Sequence, residues 1–229
     1  MSEGFFVKPV ARIFSDFSSK FGIPRQSNLI DSLEATVVFE KEYRNPDALR
    51  GLEGFTHIWL LWQFSENMRE NWSPTVRPPR LGGNERVGVF ASRSPFRPNP
   101  IGISCVRLAA IENDPINGCV LKVRGADLMD GTPIIDIKPY LPFADCMPEA
   151  QGGFATPLKE YALEVDLPEE IAAVLPEEKR EVLRQVLSQD PRPAYHGEKD
   201  RVYGFPFAGF EIRFTVDGKK LRVTEIERL

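Results

Sequence analysis

Two histidines and three cysteines in 229 residues leave little material for a metal centre. Cys105, Cys119 and Cys146 are odd in number and widely spaced, and no pair with His57 or His196 has a metal-ligand spacing, so no zinc or iron–sulfur signature emerges. The cysteines read instead as reduced, mostly buried thiols of a cytoplasmic protein. No apolar run approaches the ~20 residues that a membrane span requires. The opening MSEGFFVKPVARIF has an acid at position 3 and no continuous apolar segment of the kind a secretion signal carries. Also absent are a G-x-S-x-G elbow, a phosphate-cradling P-loop and an HExxH pair. No glycine-rich fingerprint follows an apolar strand, so a Rossmann-type cofactor site is unsupported.

Net positive charge is lacking too: the chain carries −4, which taken alone argues against a polyanionic partner. The distribution differs from the total. Between Arg69 and Arg107 stand seven arginines (Arg69, Arg77, Arg80, Arg86, Arg93, Arg97 and Arg107) against Glu70 and Glu85, with no lysine. Arginine's planar fork suits bidentate contact with phosphate or carboxylate, and its weak hydration suits partly buried places. The bland alternative is a solvated, internally paired surface.

The centre of the chain is RVGVFASRSPFRPNPIGISCVRL followed by GADLMDGTPIIDIKPYLPF. Pro95, Pro98 and Pro100 lack amide donors and push their predecessors toward extended geometry, so Ser94–Asn99 is a stiff loop presenting Arg93 and Arg97 between two apolar strands. A stiff loop loses little entropy on gripping a ligand. Before it, Phe5–Phe14 and Leu33–Glu40 read as strands, with Pro9 suited to an edge. Between them, Pro24-Arg25-Gln26 is either a clamp for a small polar ligand or a plain surface turn. Asn45-Pro46-Asp47 starts a short helix that Gly51 and Gly54 end. Phe55–Phe64 is almost continuously apolar and reads as a central strand covered on both faces, with His57 as a satisfied core residue. Ser65–Gly83 is a long loop whose Trp72 either stacks a base or plugs the loop onto the body. Ile101–Ile111 and Cys119–Val123 pair around an Asn113–Gly118 turn. Gly125–Gly131 holds Asp127 and Asp130, which are either ordinary turn residues or the carboxylate wall of a polar pocket. Ile134–Tyr140 closes the unit. The fold class is therefore mainly β: a closed or nearly closed antiparallel barrel over residues 1–150. A linker at Gln151–Thr156 leads into a small α+β domain over 151–229. There a helix between Pro168 and Gln189 carries a Val182, Leu183, Val186, Leu187 stripe, and Asp217-Gly218 turns a hairpin.

SRSPFRPNPIG, DLMDGTPIIDIKPYLPFAD and PTVRPPRLGG resemble the TsaA-like family, whose bacterial members are TrmO-type tRNA adenosine N6-methyltransferases. DPRPAY, Asp190–Tyr195, extends the resemblance into the last third. It implies a homodimeric β-barrel enzyme that binds S-adenosyl-L-methionine at the subunit interface. The implied acceptor is N6 of the threonylcarbamoyl-adenosine next to the anticodon of threonine tRNA. Carried over by motif, the cofactor contacts are Pro24, Arg25, Gln26, Ser65, Glu66, Arg93, Ile103, Asp127, Leu128, Met129 and Asp130. The family carries His-Gln where this chain has Ser65-Glu66, which places a carboxylate where the ribose or the sulfonium would lie. Asp130, with the backbone around Leu128, is the candidate acceptor for the N6 proton, and Arg93 or Arg97 the candidate cation for the threonylcarbamoyl carboxylate. Arg97, Asn99, Tyr140, Arg192 and Tyr195 are candidate tRNA contacts; neither a metal nor a membrane is implied. From the residues alone, a non-catalytic RNA- or nucleotide-binding barrel using the same arginines competes with the enzyme. A hydrolase built on Asp127 and Asp130 is weaker, because no positioned nucleophile or metal accompanies them.

Overall fold

A computed structural model describes residues 6–67, 72–78, 85–158, 162–192 and 201–229. They form two compact units. The first is drawn from Met1–Ser15, Gln26–Trp72 and Pro95–Tyr140, and the second from Asp16–Arg25, Ser73–Ser94 and Leu141–Leu229. The strands in chain order are β1 (Ala11–Phe14), β2 (Glu34–Phe39), β3 (His57–Gln63), β4 (Thr75–Val76), β5 (Val87–Gly88), β6 (Ile101–Asp114), β7 (Gly118–Arg124), β8 (Thr132–Pro139), β9 (Glu164–Asp166), β10 (Tyr203–Phe207), β11 (Phe210–Asp217) and β12 (Lys220–Arg228). The α-helices are α1 (Pro142–Asp145), α2 (Glu169–Ala172) and α3 (Glu177–Ser188).

In the first unit six strands pair antiparallel in the order β1-β2-β7-β6-β3-β8, and β8 returns to β1 through Ala11–Ile134 and Ile13–Thr132. Successive side chains of a strand point to opposite faces, and the sequence obeys that period. Gly102, Ser104 and Val106 of β6 are buried while Ile101 and Ile103, which alternate with them, are exposed. The inward set, including Ile13, Val37, Ile58, Leu60, Val106, Leu121, Leu128 and Ile134, makes the core of the ring.

Several expectations need correction. β1 starts at Ala11, not Phe5, because Pro9 has no amide to pair and Phe6 stands 86% exposed. The helix expected after Asn45 is two 3₁₀ turns, Pro46–Leu49 and Leu52–Gly54, parted by Gly51 at φ +88°. β3 is not covered on both faces: Ile58 and Leu60 are buried, whereas Trp59 and Leu61 on the other face are only half-buried. His57 is half-buried, its Nδ1 3.0 Å from Thr56 Oγ1. Val87–Gly88 pairs with Thr75–Val76 in a small separate ribbon, and Val89 turns into a 3₁₀ turn. The expected linker carries a 3₁₀ turn over Gly153–Leu158. The cysteines are free but not buried: Cys105 and Cys119 are half-buried and Cys146 is exposed.

The second unit contains a four-stranded sheet in the order β10-β11-β12-β9, with β9 parallel to β12. Gly218 at φ +60° supplies the left-handed residue that the β11–β12 turn needs. The Val182, Leu183, Val186, Leu187 stripe of α3 is buried as its helical spacing predicts.

The β6–β7 turn carries a pH response. Asp114 accepts the amides of Asn117 at 2.7 Å and Ile116 at 3.0 Å. Those bonds, Asn117's foremost, hold its carboxyl below the usual carboxylate range. The folded turn favours the ionised form, so its support is present at neutral pH and is lost as pH falls through the lowered value. Asp114→Ala is expected to speed amide hydrogen exchange at Ile116 and Asn117 at neutral pH, measured by NMR, and to abolish their acid-induced rise.

Candidate active site

The first unit gathers four chain segments at one end of its ring. β3 ends and β6 begins there, Gln63 opposite Ile101 and Phe64 N–H donating to the Pro100 carbonyl at 2.9 Å. β8 begins there as well, Ile134 lying opposite Trp62. The Gly125–Gly131 loop enters it after β7, and Asn28 joins by donating its amide N–H to the Gly125 carbonyl at 2.9 Å and Nδ2–H to the Cys105 carbonyl at 3.1 Å. Gly125 at φ +76° has no room for a side chain, since a Cβ would stand 2.7 Å from Asn28 Oδ1.

Within this end a polar chain is fixed by packing. Trp62 Nε1–H donates to Ser104 Oγ at 3.0 Å, and the Ser104 hydroxyl donates to Asp127 Oδ1 at 2.6 Å. The second distance is that of a charge-assisted O–H···O⁻ bond, roughly twice as strong as a neutral one. Ser104 is 1% exposed, so its hydroxyl is shielded from bulk water. Trp62 is seated against Gly102, where a Cβ would lie 2.3 Å from the indole ring. Gly102→Ala is therefore expected to cost about 1–3 kcal/mol of stability through overpacking, measured by denaturant unfolding. A loss under half of that would mean that the indole relaxes freely and orients nothing.

The rest of the loop is laced to the end of β1. Ser15 N–H donates to Asp130 Oδ1 at 3.0 Å, and Ser15 Oγ–H to the Leu128 carbonyl at 2.8 Å. Thr132 Oγ1–H donates to the Met129 carbonyl at 2.7 Å, and Arg12 to the Gly131 carbonyl at 3.1 Å. Leu128 is buried as an apolar anchor, Asp127 and Met129 are half-buried, and Asp130 is exposed. The result is a rigid rim of carbonyls and two carboxylates, attractive to a cationic centre.

The expected site residues fall as follows. Gln26, half-buried, lies two residues before Asn28, and Ile103 is 46% exposed on the outer face of β6. Ser65 and Glu66 are exposed in a 3₁₀ turn just past β3. Arg97, half-buried, and Asn99, exposed, lie in the turn leading into β6. These residues share the end of the ring that holds Asp127–Asp130. Tyr140 does not: its amide donates to the His57 carbonyl at 3.0 Å and its ring packs near Trp59. That is the opposite end of β3, about 20 Å away at ~3.3 Å per residue. Pro24, Arg25 and Arg93 belong to the second unit; Pro24 is buried, Arg25 half-buried and Arg93 exposed. Arg192, also in the second unit, is clasped by Asp190 through two bonds of 2.8 and 2.9 Å, beside a pocket lined by Phe21, Arg201 and Tyr203. Tyr195 lies outside the described residues. Trp62, Gly102, Ser104, Asn28 and Ser15 were not foreseen. A glycine inside an apolar strand signals close approach of another group, and Gly102 in PIGIS was that signal. Among the described residues no group of three metal-ligating side chains forms, and no helix is long and apolar enough to cross a membrane.

Comparison with known proteins identifies the family. Residues 12–146 match the tRNA-methyltransferase O N-terminal domain, and residues 160–229 match the TrmO C-terminal domain. The tRNA (adenine(37)-N6)-methyltransferase of Escherichia coli K12 is 41% identical over 97% of this chain and 98% of its own. The enzyme of the same name from Eikenella corrodens is 48% identical over 71% of this chain and 92% of its own. A Pyrococcus abyssi protein called a probable S-adenosyl-L-methionine-binding protein is 36% identical over 64% of this chain and 74% of its own. A crystal structure of TrmO from Pseudomonas aeruginosa superposes with a TM-score of 0.75 at 31% identity, covering 98% of this chain and 99% of that one. The chain belongs to the tRNA-methyltransferase O family.

Proposed function

We propose that this protein is an S-adenosyl-L-methionine-dependent tRNA methyltransferase acting on N6 of adenosine 37, and that its acceptor base already carries a threonylcarbamoyl group. The observation that carries the reading is the end-to-end likeness to the Escherichia coli tRNA (adenine(37)-N6)-methyltransferase, 41% identical over 97% of this chain. The geometry of the ring end fits it. S-adenosyl-L-methionine supplies an electrophilic methyl group on a positively charged sulfur. The rim of Leu128 and Met129 carbonyls with Asp127 and Asp130 suits that charge, and exposed Ile103 and half-buried Gln26 suit an apolar ring with polar edges.

N6 of the threonylcarbamoyl-adenosine is a weak nucleophile because its lone pair is delocalised into both the adenine ring and the carbamoyl carbonyl, so alignment of that nitrogen with the S–CH₃ bond is the main catalytic lever. With the donor bound, the N6–CH₃ bond would form as the S–CH₃ bond breaks, its electron pair staying on sulfur as a neutral thioether, and the N6 proton would need an acceptor. Asp130 is the assigned base: it is exposed, and Ser15 N–H holds its Oδ1. Asp127, fixed by Ser104, orients rather than reacts. Arg93 or Arg97 is read as the cation for the threonylcarbamoyl carboxylate, and Arg97, Asn99, Tyr140, Arg192 and Tyr195 are each read as tRNA contacts. An anticodon-loop base is less costly to extrude than one in a duplex, where the penalty is a few kcal/mol.

The six-stranded ring is read as a closed barrel, residues 1–150 as the catalytic part and 151–229 as the tRNA-binding part. The working form is read as a cytoplasmic homodimer with the cofactor at the subunit interface. The direct test is mass spectrometry of nucleosides from tRNA incubated with the protein and S-adenosyl-L-methionine. Methylated threonylcarbamoyl-adenosine from position 37 is the expected product. Unchanged tRNA that nevertheless binds with a steep salt dependence would mark a non-catalytic RNA-binding barrel.

A further inference from the structure

The connection between β1 and β2 is anchored far more firmly than a loop of its length requires. Asp16–Arg25 belongs to the second unit. Asp16 meets Lys179 of α3 at 2.5 Å, with side chains only 18% and 24% exposed. The Asp16 carbonyl accepts the amide of Ala208 at 2.8 Å, at the left-handed corner (φ +51°) between β10 and β11. Phe17 is 1% exposed, its ring centre 5.5 Å from that of Phe207, which is fully buried. Gly22, at φ +83°, lies so close to Phe205 that a Cβ would stand 2.3 Å from the ring. Within seven residues the connection is held by an ion pair, a backbone hydrogen bond, a buried aromatic pair and a glycine contact. Only Ile23 separates the last anchor from Pro24, which is itself buried and fixed in φ. A displacement at Gly22 therefore has almost no backbone in which to dissipate before it reaches Arg25 and Gln26.

We propose that the C-terminal sheet and α3, through Asp16–Lys179 and Phe17–Phe207, act as a positioning device for the Pro24-Arg25-Gln26 loop and thereby set the affinity for S-adenosyl-L-methionine. This rests on the reading of that loop as a cofactor contact. Asp16, Phe17, Lys179 and Phe207 touch neither substrate; they fix the loop that does. The C-terminal part then has a role in the cofactor step that is separate from holding tRNA.

The test uses the full-length protein and resolves KM for S-adenosyl-L-methionine from KM for tRNA. Lys179→Met leaves an unpaired, largely buried carboxylate and is expected to raise the cofactor KM about tenfold while moving the tRNA KM by less than about twofold. Asp16→Asn, which keeps the shape, is expected to act in the same direction if Lys179→Met proves unstable. The exchanged pair, Asp16→Lys with Lys179→Asp, is expected to recover most of the loss, which a merely destabilising substitution would not. Arg25→Ala is measured beside them. A raised cofactor KM for Arg25→Ala with none for Lys179→Met or Asp16→Asn overturns the positioning role alone. An unchanged cofactor KM in all three overturns the cofactor reading of the loop as well, and the positioning role with it. A rise confined to the tRNA KM returns the C-terminal part to a purely RNA-binding role.

Discussion

Arg93→Ala is expected to lower methyl transfer by about two to three orders of magnitude, the loss that follows when one preorganised charged donor is removed from a reacting centre, and to leave the melting temperature close to that of the unaltered protein. The two halves of that expectation come from different facts. Arg93 is exposed at the foot of a loop stiffened by Pro95, Pro98 and Pro100, so its side chain contributes little to either core. Its backbone is held independently: Ser92 closes the preceding 3₁₀ turn through bonds from both its amide and its hydroxyl to the Val89 carbonyl, at 3.2 and 2.8 Å. Removing the guanidinium thus deletes a charge and leaves its support standing. Steady-state kinetics and thermal unfolding of the same preparation check both halves. Normal turnover in a normally folded variant removes Arg93 from the site, and a large drop in melting temperature assigns it a structural role instead.

Ser104→Ala is the second large effect, and it couples stability to activity. The hydroxyl accepts from Trp62 and donates to Asp127 in a place 1% exposed. Its loss leaves the indole N–H without that acceptor and the carboxylate without that 2.6 Å bond. A buried group stripped of its partner costs about 1–3 kcal/mol, so unfolding should move by that amount. Asp127 then loses the bond that fixes it to β6, and the cofactor KM is expected to rise with it. Ser104→Thr keeps a hydroxyl and should recover much of both. A variant that loses stability while its cofactor KM stays unchanged would show that Asp127 is a packing residue with no part in binding.

The legibility of the chain divides along the range of the interactions. Period-2 patterning and turn chemistry are local, and they located β2, the β6–β7 pair, the DLMDG turn and the β11–β12 hairpin to within a few residues. The Val182–Leu187 stripe was local in the same way. Ser104 was missed because one serine in an apolar strand reads as filler until Trp62 and Asp127, 42 and 23 residues away, are brought to it. β3 was misjudged because an unbroken apolar run does not reveal that half of its side chains, Trp59 and Leu61 among them, lie on a partly open outer face. The short helix expected after Asn45 starts at Pro46 and stops before Gly51 as its sequence suggests, but it is a 3₁₀ turn, and a second such turn runs on to Gly54. The allegiance of Asp16–Arg25 to the second unit left no trace in local pattern, because Phe17 needs Phe207 and Asp16 needs Lys179.

The most direct measurement of the central claim uses the pure protein, S-adenosyl-L-methionine labelled in its methyl group, and threonine tRNA prepared with and without the threonylcarbamoyl group at position 37. Label entering the modified tRNA alone, and released as a methylated threonylcarbamoyl-adenosine, is the predicted result. Equal labelling of both tRNAs, or labelling of neither while the protein still binds tRNA, would contradict it.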